Sequence, residues 1–134
     1  MDIRNYVNFF HDGTLIDIKH INNNLQLFIE SFPIDQNDLS NNDLPFLSPN
    51  NTLKGTLHAD GIKYIKIEKK LFHEILCKEY DDGEILDLVV NKNTIIIIIE
   101  WKNFPPKKRI IVTNEIEIES EVIYWESVVK KAND

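Results

Sequence analysis

The chain has 134 residues, of which 43% are hydrophobic and 28% are charged, and its formal net charge is -7 at pH 7. This length and composition predict one globular domain over residues 1–134 and exclude a chain that is disordered throughout. The acidic excess disfavours nucleic acid as a partner and permits a basic protein.

The N-terminal part of the chain predicts a helix followed by a hairpin. Residues 3–10 place apolar side chains at helical spacing, which predicts a short amphipathic helix. The period then changes to two, predicting strands at residues 15–21 and 25–32 with an asparagine turn at 22–24. Residues 33–51 contain three Pro among many Asp, Asn and Ser residues, and they predict a long surface loop.

The middle of the chain predicts a second hairpin and a second helix. Residues 52–59 and 62–68 alternate as strands do, and the Asp-Gly pair at 60–61 predicts a tight turn between them. Apolar spacing over about residues 70–80 predicts a short helix, which an Asp-Asp-Gly sequence would end.

The last part of the chain is rich in strand signals. The predicted strands are residues 84–90, 94–101, 109–112 and 115–125, with turns at 91–93, at the prolines 105 and 106, and at 113–114. Residues 95–99 are all Ile, which predicts a central strand covered on both faces. Seven or eight strands predict a mainly β fold, an antiparallel sandwich, roll or partly open barrel with one or two short helices.

Localisation is predicted from features that the sequence lacks. The first residues do not have the charged-then-apolar pattern of a signal peptide, and residues 95–99 are far too short an apolar run to span a membrane. Cys77 is the single cysteine, so it cannot form an internal disulfide. We therefore expect a cytoplasmic protein without membrane contact, while its oligomeric state stays open.

The known enzyme motifs that we considered do not fit this chain. The four Gly residues form no phosphate-binding loop, and no Gly-x-Ser-x-Gly motif occurs. His11-Asp12 is a dipeptide of metal-dependent phosphohydrolases, but it lacks their helical ligands, and the His and Cys residues lack zinc-motif spacing. The sequence predicts no catalytic residue, metal or cofactor, although numerous carboxylates leave an unrecognised enzyme open.

Two features predict a surface that binds a protein partner. Every second position of one strand carries a carboxylate, and these four should share one face: Glu115, Glu117, Glu119 and Glu121. A solvated outer face is the alternative interpretation of this pattern. Trp101 and Phe104 stand beside two prolines at a strand end, where they either cap the core or contribute to an interface.

Parts of the sequence resemble known groups of proteins. The segments FHDGTLIDI (10–18), TLKGTLH (52–58), DGIK (60–63) and EWKNFPPK (100–107) resemble a family of small bacterial proteins of unknown function. That resemblance covers most of the chain and implies a bacterial, single-domain protein. The opening HDG (11–13), followed by a strand and a hairpin, is similar to the start of some immunity proteins of polymorphic toxin systems.

The interpretation favoured by the sequence is a non-enzymatic protein-interaction module. An immunity-type inhibitor that binds a basic partner is its most concrete form, because toxin nucleases are often basic and the chain is acidic. A small-molecule-binding β-roll or barrel is the alternative, and an enzyme of unrecognised type comes third.

Overall fold

Strands dominate the computed structural model, which describes residues 1–129. They are β1 (Thr14–Ile21), β2 (Asn24–Glu30), β3 (Lys54–Ile67), β4 (Lys70–Leu71), β5 (Asp82–Val90), β6 (Thr94–Asn103) and β7 (Ile110–Ser127). The helical residues form short 3-10 helices at Ile3–Asn5, Val7–Phe10, Gln36–Asp38 and Leu44–Phe46. The predicted mainly β fold is confirmed. Within residues 1–129, no helix has the length and apolar character needed to cross a membrane.

The strands form one antiparallel sheet in the order β2-β1-β5-β6-β7-β3-β4. β2 also pairs with β3 along its whole length, so six strands close into a ring. The ring is incomplete between β1 and β5, which share only the pair Thr14 with Glu84. The sheet is thus partly ring-like, but it is not a regular barrel.

Two long strands replace pairs of short predicted strands. β3 continues through Asp60 and Gly61, so the predicted hairpin at these residues is wrong. Gly61 has φ +70°, and the pairing with β7 shifts register between Ile62 and Tyr64. Glycine therefore permits a bend within a strand here instead of a turn between two strands. The predicted turn at 113–114 is also wrong, because β7 pairs with β6 without interruption there.

The predicted helix over residues 70–80 is wrong as well. Glu68 and Lys69, both with positive φ, form a turn into the two-residue strand β4, and the chain then crosses one end of the ring without regular structure. Leu76 is buried there, and its backbone N–H donates to His20 Nδ1 at 2.9 Å. Of the side chains that gave the apolar spacing, Leu76 is buried and Phe72 packs against the core, whereas Leu71 and Ile75 are exposed.

The N-terminal helix is shorter and tighter than predicted. Two successive 3-10 helices replace one amphipathic helix, yet Ile3, Tyr6 and Phe10 are buried at the positions that the spacing indicated. Residues 33–51 contain no strand, and Tyr6 donates a hydrogen bond to Asp43 in this predicted loop.

The inward side chains of the ring form one contiguous hydrophobic core. On the central strand β6, Ile95, Ile97 and Ile99 are fully buried, whereas Ile96 and Ile98 are only partly buried on the outer side. The strand is central as predicted, but the prediction that both of its faces are covered is wrong. One face of β5, β6 and β7 is therefore left at the surface.

Candidate functional site

The outer surface of β5, β6 and β7 is the candidate site. Strand pairing aligns its outward side chains in rows, with the last row ending on β3. The rows are Glu84–Glu100–Thr113, Asp87–Ile98–Glu115, Val89–Ile96–Glu117 and Thr94–Glu119–Tyr64. We call this surface the acidic face.

An apolar stripe runs through the acidic face. Val89 is 38% exposed, Ile96 and Ile98 are partly buried, and none of the three belongs to the hydrophobic core. Asp87 borders the stripe on β5, and glutamates border it on β7. An apolar centre with a charged border is typical of a protein-binding surface.

The acidic face carries far more negative than positive charge. Its carboxylates are Glu84, Asp87, Glu100, Glu115, Glu117 and Glu119. Lys102 lies 3.3 Å from Glu100, and Lys66 lies directly opposite Glu117 on β3. The pair of Lys102 with Glu100 is partly exposed to solvent, and such a pair contributes about 1 kcal/mol or less. The two amines leave most of the carboxylates unneutralised, so the face attracts positive charge.

The pKa of Tyr64 reflects the negative charge of the acidic face. Its hydroxyl donates a 2.5 Å hydrogen bond to Glu117 Oε2. This bond, together with desolvation and the charges of Glu117 and Glu119, raises the pKa of Tyr64 to about 12. Ionising the phenol would break the bond and place a third negative charge beside the two glutamates.

We expect the substitution Glu117→Gln to lower the pKa of Tyr64 from about 12 toward its ordinary value of 10.0. Ultraviolet absorbance titration of the tyrosines measures this shift, and Tyr64→Phe identifies which titration step belongs to Tyr64. An unchanged titration curve in Glu117→Gln would show that the hydrogen bond to Glu117 does not raise the pKa of Tyr64.

Three of the four glutamates predicted to share one face lie opposite β6. Glu115, Glu117 and Glu119 alternate with buried residues and lie on the acidic face. Pairing between β6 and β7 ends at Thr94 with Glu119, so Glu121 lies beyond it, close to Gly61 on β3. β5 and β6 add carboxylates beside the three glutamates that pair with β6.

The two predicted aromatic contact residues have different environments. Trp101 is 4% exposed and stacks on Tyr80, with ring centroids 5.4 Å apart. A Cβ at Gly83 would lie 2.7 Å from the indole, so only glycine fits opposite it. Phe104 is 47% exposed. Trp101 caps the core, and only Phe104 offers surface to a partner.

Sequence reasoning missed a polar cluster on the outer side of β3 and the end of β7. His58 is 7% exposed, its Nε2 lies 3.0 Å from Glu126 Oε1, and its ring stacks on Tyr124 at 4.3 Å. Desolvation raises the pKa of Tyr124, and the charges of Asp60 and Glu126 raise it further. Only the strand pairing of His58 with Tyr124 brings these groups together. The cluster joins the two strands, and no local sequence pattern indicates it.

The remaining candidate ligands are scattered. Within residues 1–129, no three His, Cys, Asp or Glu side chains are grouped so that they could hold a metal ion. His11 contacts the carbonyl of Leu86 and lies 3.6 Å from Asp12. Burial and the nearby Glu79 raise the pKa of the Cys77 thiol, which disfavours the reactive thiolate.

Comparison of the chain with protein-family models, with curated proteins and with solved structures gives no match.

Proposed function

We propose that this chain is a non-enzymatic module that binds a basic protein partner through the acidic face. The observation that carries the proposal is the apolar stripe of Val89, Ile96 and Ile98 between carboxylates on β5 and β7. An immunity-type inhibitor of a basic toxin is the most concrete form of this function, and the net charge of -7 supports it.

The two parts of the face have different physical roles. Burying the partly exposed Ile96 and Ile98 against a partner supplies affinity, at about 25 cal/mol for each Å² of apolar surface removed from water. The carboxylates mainly accelerate association, and salt screens this effect over about 8 Å at physiological ionic strength. Binding should therefore weaken as salt rises without being abolished.

A double charge reversal tests this proposal. We expect Glu117→Lys with Glu119→Lys to slow association with the partner at least ~tenfold at low salt, since steering by charge changes association rates by about 10- to 1000-fold. Both side chains are only partly buried, so the fold should persist. The partner is captured from a lysate of the source cells, purified, and measured by surface plasmon resonance at 0.05 and 0.5 M NaCl.

Asp35→Lys with Asp38→Lys is the matched control. It changes the net charge equally, but both residues are exposed in the loop between β2 and β3. We expect this control to retain the wild-type association rate. The acidic face is not the binding surface if the purified partner associates with all three proteins at the same rate, or if both double variants slow association equally.

A further inference from the structure

Part of β7 has a neighbouring strand on one side only. β3 pairs with β7 from Gly55 with Ser127 to Ile67 with Ile116, and then it turns away at Glu68 and Lys69. Beyond this turn, residues 110–114 of β7 pair with β6 alone. Their other edge faces no strand among residues 1–129.

The backbone groups on this free edge can be assigned. The carbonyl of Glu115 accepts from Glu68 N at 3.0 Å, and Glu115 N donates to Glu68 Oε1 at 2.6 Å, so Glu115 points its backbone groups away from β6. Alternate residues of a strand direct these groups to the same side. Thr113 and Ile111 therefore present their N–H and C=O groups at the free edge.

A groove of about 220 Å³ lies at the end of this edge, where Asn114 and Ile116 of β7 contribute to its lining. Its apolar lining includes Ile67, Phe72, Ile75, Tyr80 and Ile116. Ile75 is 69% exposed, so an apolar side chain is already placed at the surface of the groove. The charged side chains of the lining are Glu74 and Glu79, which make the groove negative.

We propose that the free edge of β7 receives an extended segment of the basic partner as an additional strand. This inference rests on the proposed function and specifies how the partner binds. Backbone hydrogen bonds to Ile111 and Thr113 hold the segment, and its alternate side chains enter the groove or lie beside the acidic face. The occupant is a segment that alternates apolar and basic residues, since Glu74 and Glu79 line the groove and Glu115 ends the free edge.

A second copy of this chain is the alternative occupant. Its β7 would offer Val112 and Asn114 on the inner side, and Lys107, Lys108 and Arg109 precede that strand in the sequence. A partner segment is the proposed occupant because Thr113 and Glu115 of this edge belong to the acidic face. Pairing between two copies is one outcome of the test.

The test uses a synthetic peptide, acetyl-Lys-Val-Lys-Val-Lys-Val-Thr-amide, with the full chain at low salt. The variant Thr113→Pro removes the free-edge N–H and leaves the pairing with β6, because proline is tolerated on an edge strand. The matched control Thr113→Val keeps the N–H. We expect Thr113→Pro to weaken peptide binding at least tenfold and Thr113→Val to change it less than twofold.

Hydrogen exchange of the wild-type protein gives a second readout that does not depend on the folding of any variant. The amides of Ile111 and Thr113 should exchange at least tenfold more slowly when the peptide is bound. Unchanged exchange, equal binding by the Pro and Val variants, or no peptide binding up to 1 mM peptide would each overturn the proposal.

Two further outcomes separate this inference from its alternatives. If Glu117→Lys with Glu119→Lys loses the partner while Thr113→Pro keeps it, the edge proposal is wrong and the proposed function stands. A dimer seen by analytical ultracentrifugation without peptide, and lost in Thr113→Pro, would assign the edge to a second copy and also overturn the proposal.

Discussion

Ile97→Asp is expected to prevent folding. Ile97 is fully buried on the central strand β6, paired with Leu88 on β5 and with Ile116 on β7. A carboxylate at this position would be desolvated without a partner, at a cost on the order of 5 kcal/mol or more, against a total stability of about 5–15 kcal/mol for a typical domain. The variant should accumulate as insoluble or unfolded protein.

The same substitution at the next residue is the matched control. Ile96 is partly buried on the acidic face and is not part of the core, so Ile96→Asp leaves the new carboxylate in contact with water. Repulsion from Glu117, its cross-strand neighbour, should cost about 1 kcal/mol or less. Urea unfolding followed by circular dichroism compares the two variants. A soluble Ile97→Asp protein that unfolds cooperatively would show that the inner face of β6 is not essential.

The strands were largely predictable from the sequence because burial on one face of a sheet imposes alternation. The predictions were wrong where a strand bends, or where a residue such as Gly or Asn is compatible with either a turn or a strand. Positive φ at Gly61 suits a hairpin turn and also a bend inside a strand, and only the pairing of β3 with β7 selects the bend. In the same way, Asn114 favours a turn locally but pairs with Ile99 in the middle of a ladder.

The candidate site was only half predictable. The alternation of Glu115, Glu117 and Glu119 follows from strand geometry, and the structure places them on one face. The apolar stripe beside them was missed, because Ile96 and Ile98 stand in a run of Ile that resembles a strand covered on both sides. Their position next to the glutamates depends on the register between β6 and β7, which no short segment of the sequence encodes.

Residues 10–13 contribute contacts at the junction of β1 and β5, where the ring of strands has the fewest paired residues. β1 and β5 share a single residue pair, and beside it the N–H of Asp12 donates to the carbonyl of Ile85 while the N–H of Ile85 donates to the carbonyl of Gly13, both at 2.8 Å. Phe10 precedes this junction and is fully buried. Its ring meets Trp125 of β7 edge to face, with centroids 5.8 Å apart.

Phe10→Ala is therefore expected to destabilise the fold by about 3–5 kcal/mol, the usual cost of removing a buried phenylalanine ring. The cavity would form at the junction of β1 and β5, where the ring of strands has the fewest backbone hydrogen bonds. Hydrogen exchange of the β1 and β5 amides should therefore accelerate more than that of the β6 amides.

Phe9→Ala is the matched control: Phe9 is only partly buried, and its contact with Phe32 is made by its backbone carbonyl, which the substitution keeps. We expect it to cost about 1 kcal/mol, in proportion to the smaller apolar area lost. Urea denaturation and hydrogen exchange measure both effects. Equal destabilisation by the two variants, or uniform acceleration of exchange across all strands, would contradict the view that Phe10 closes the gap between β1 and β5.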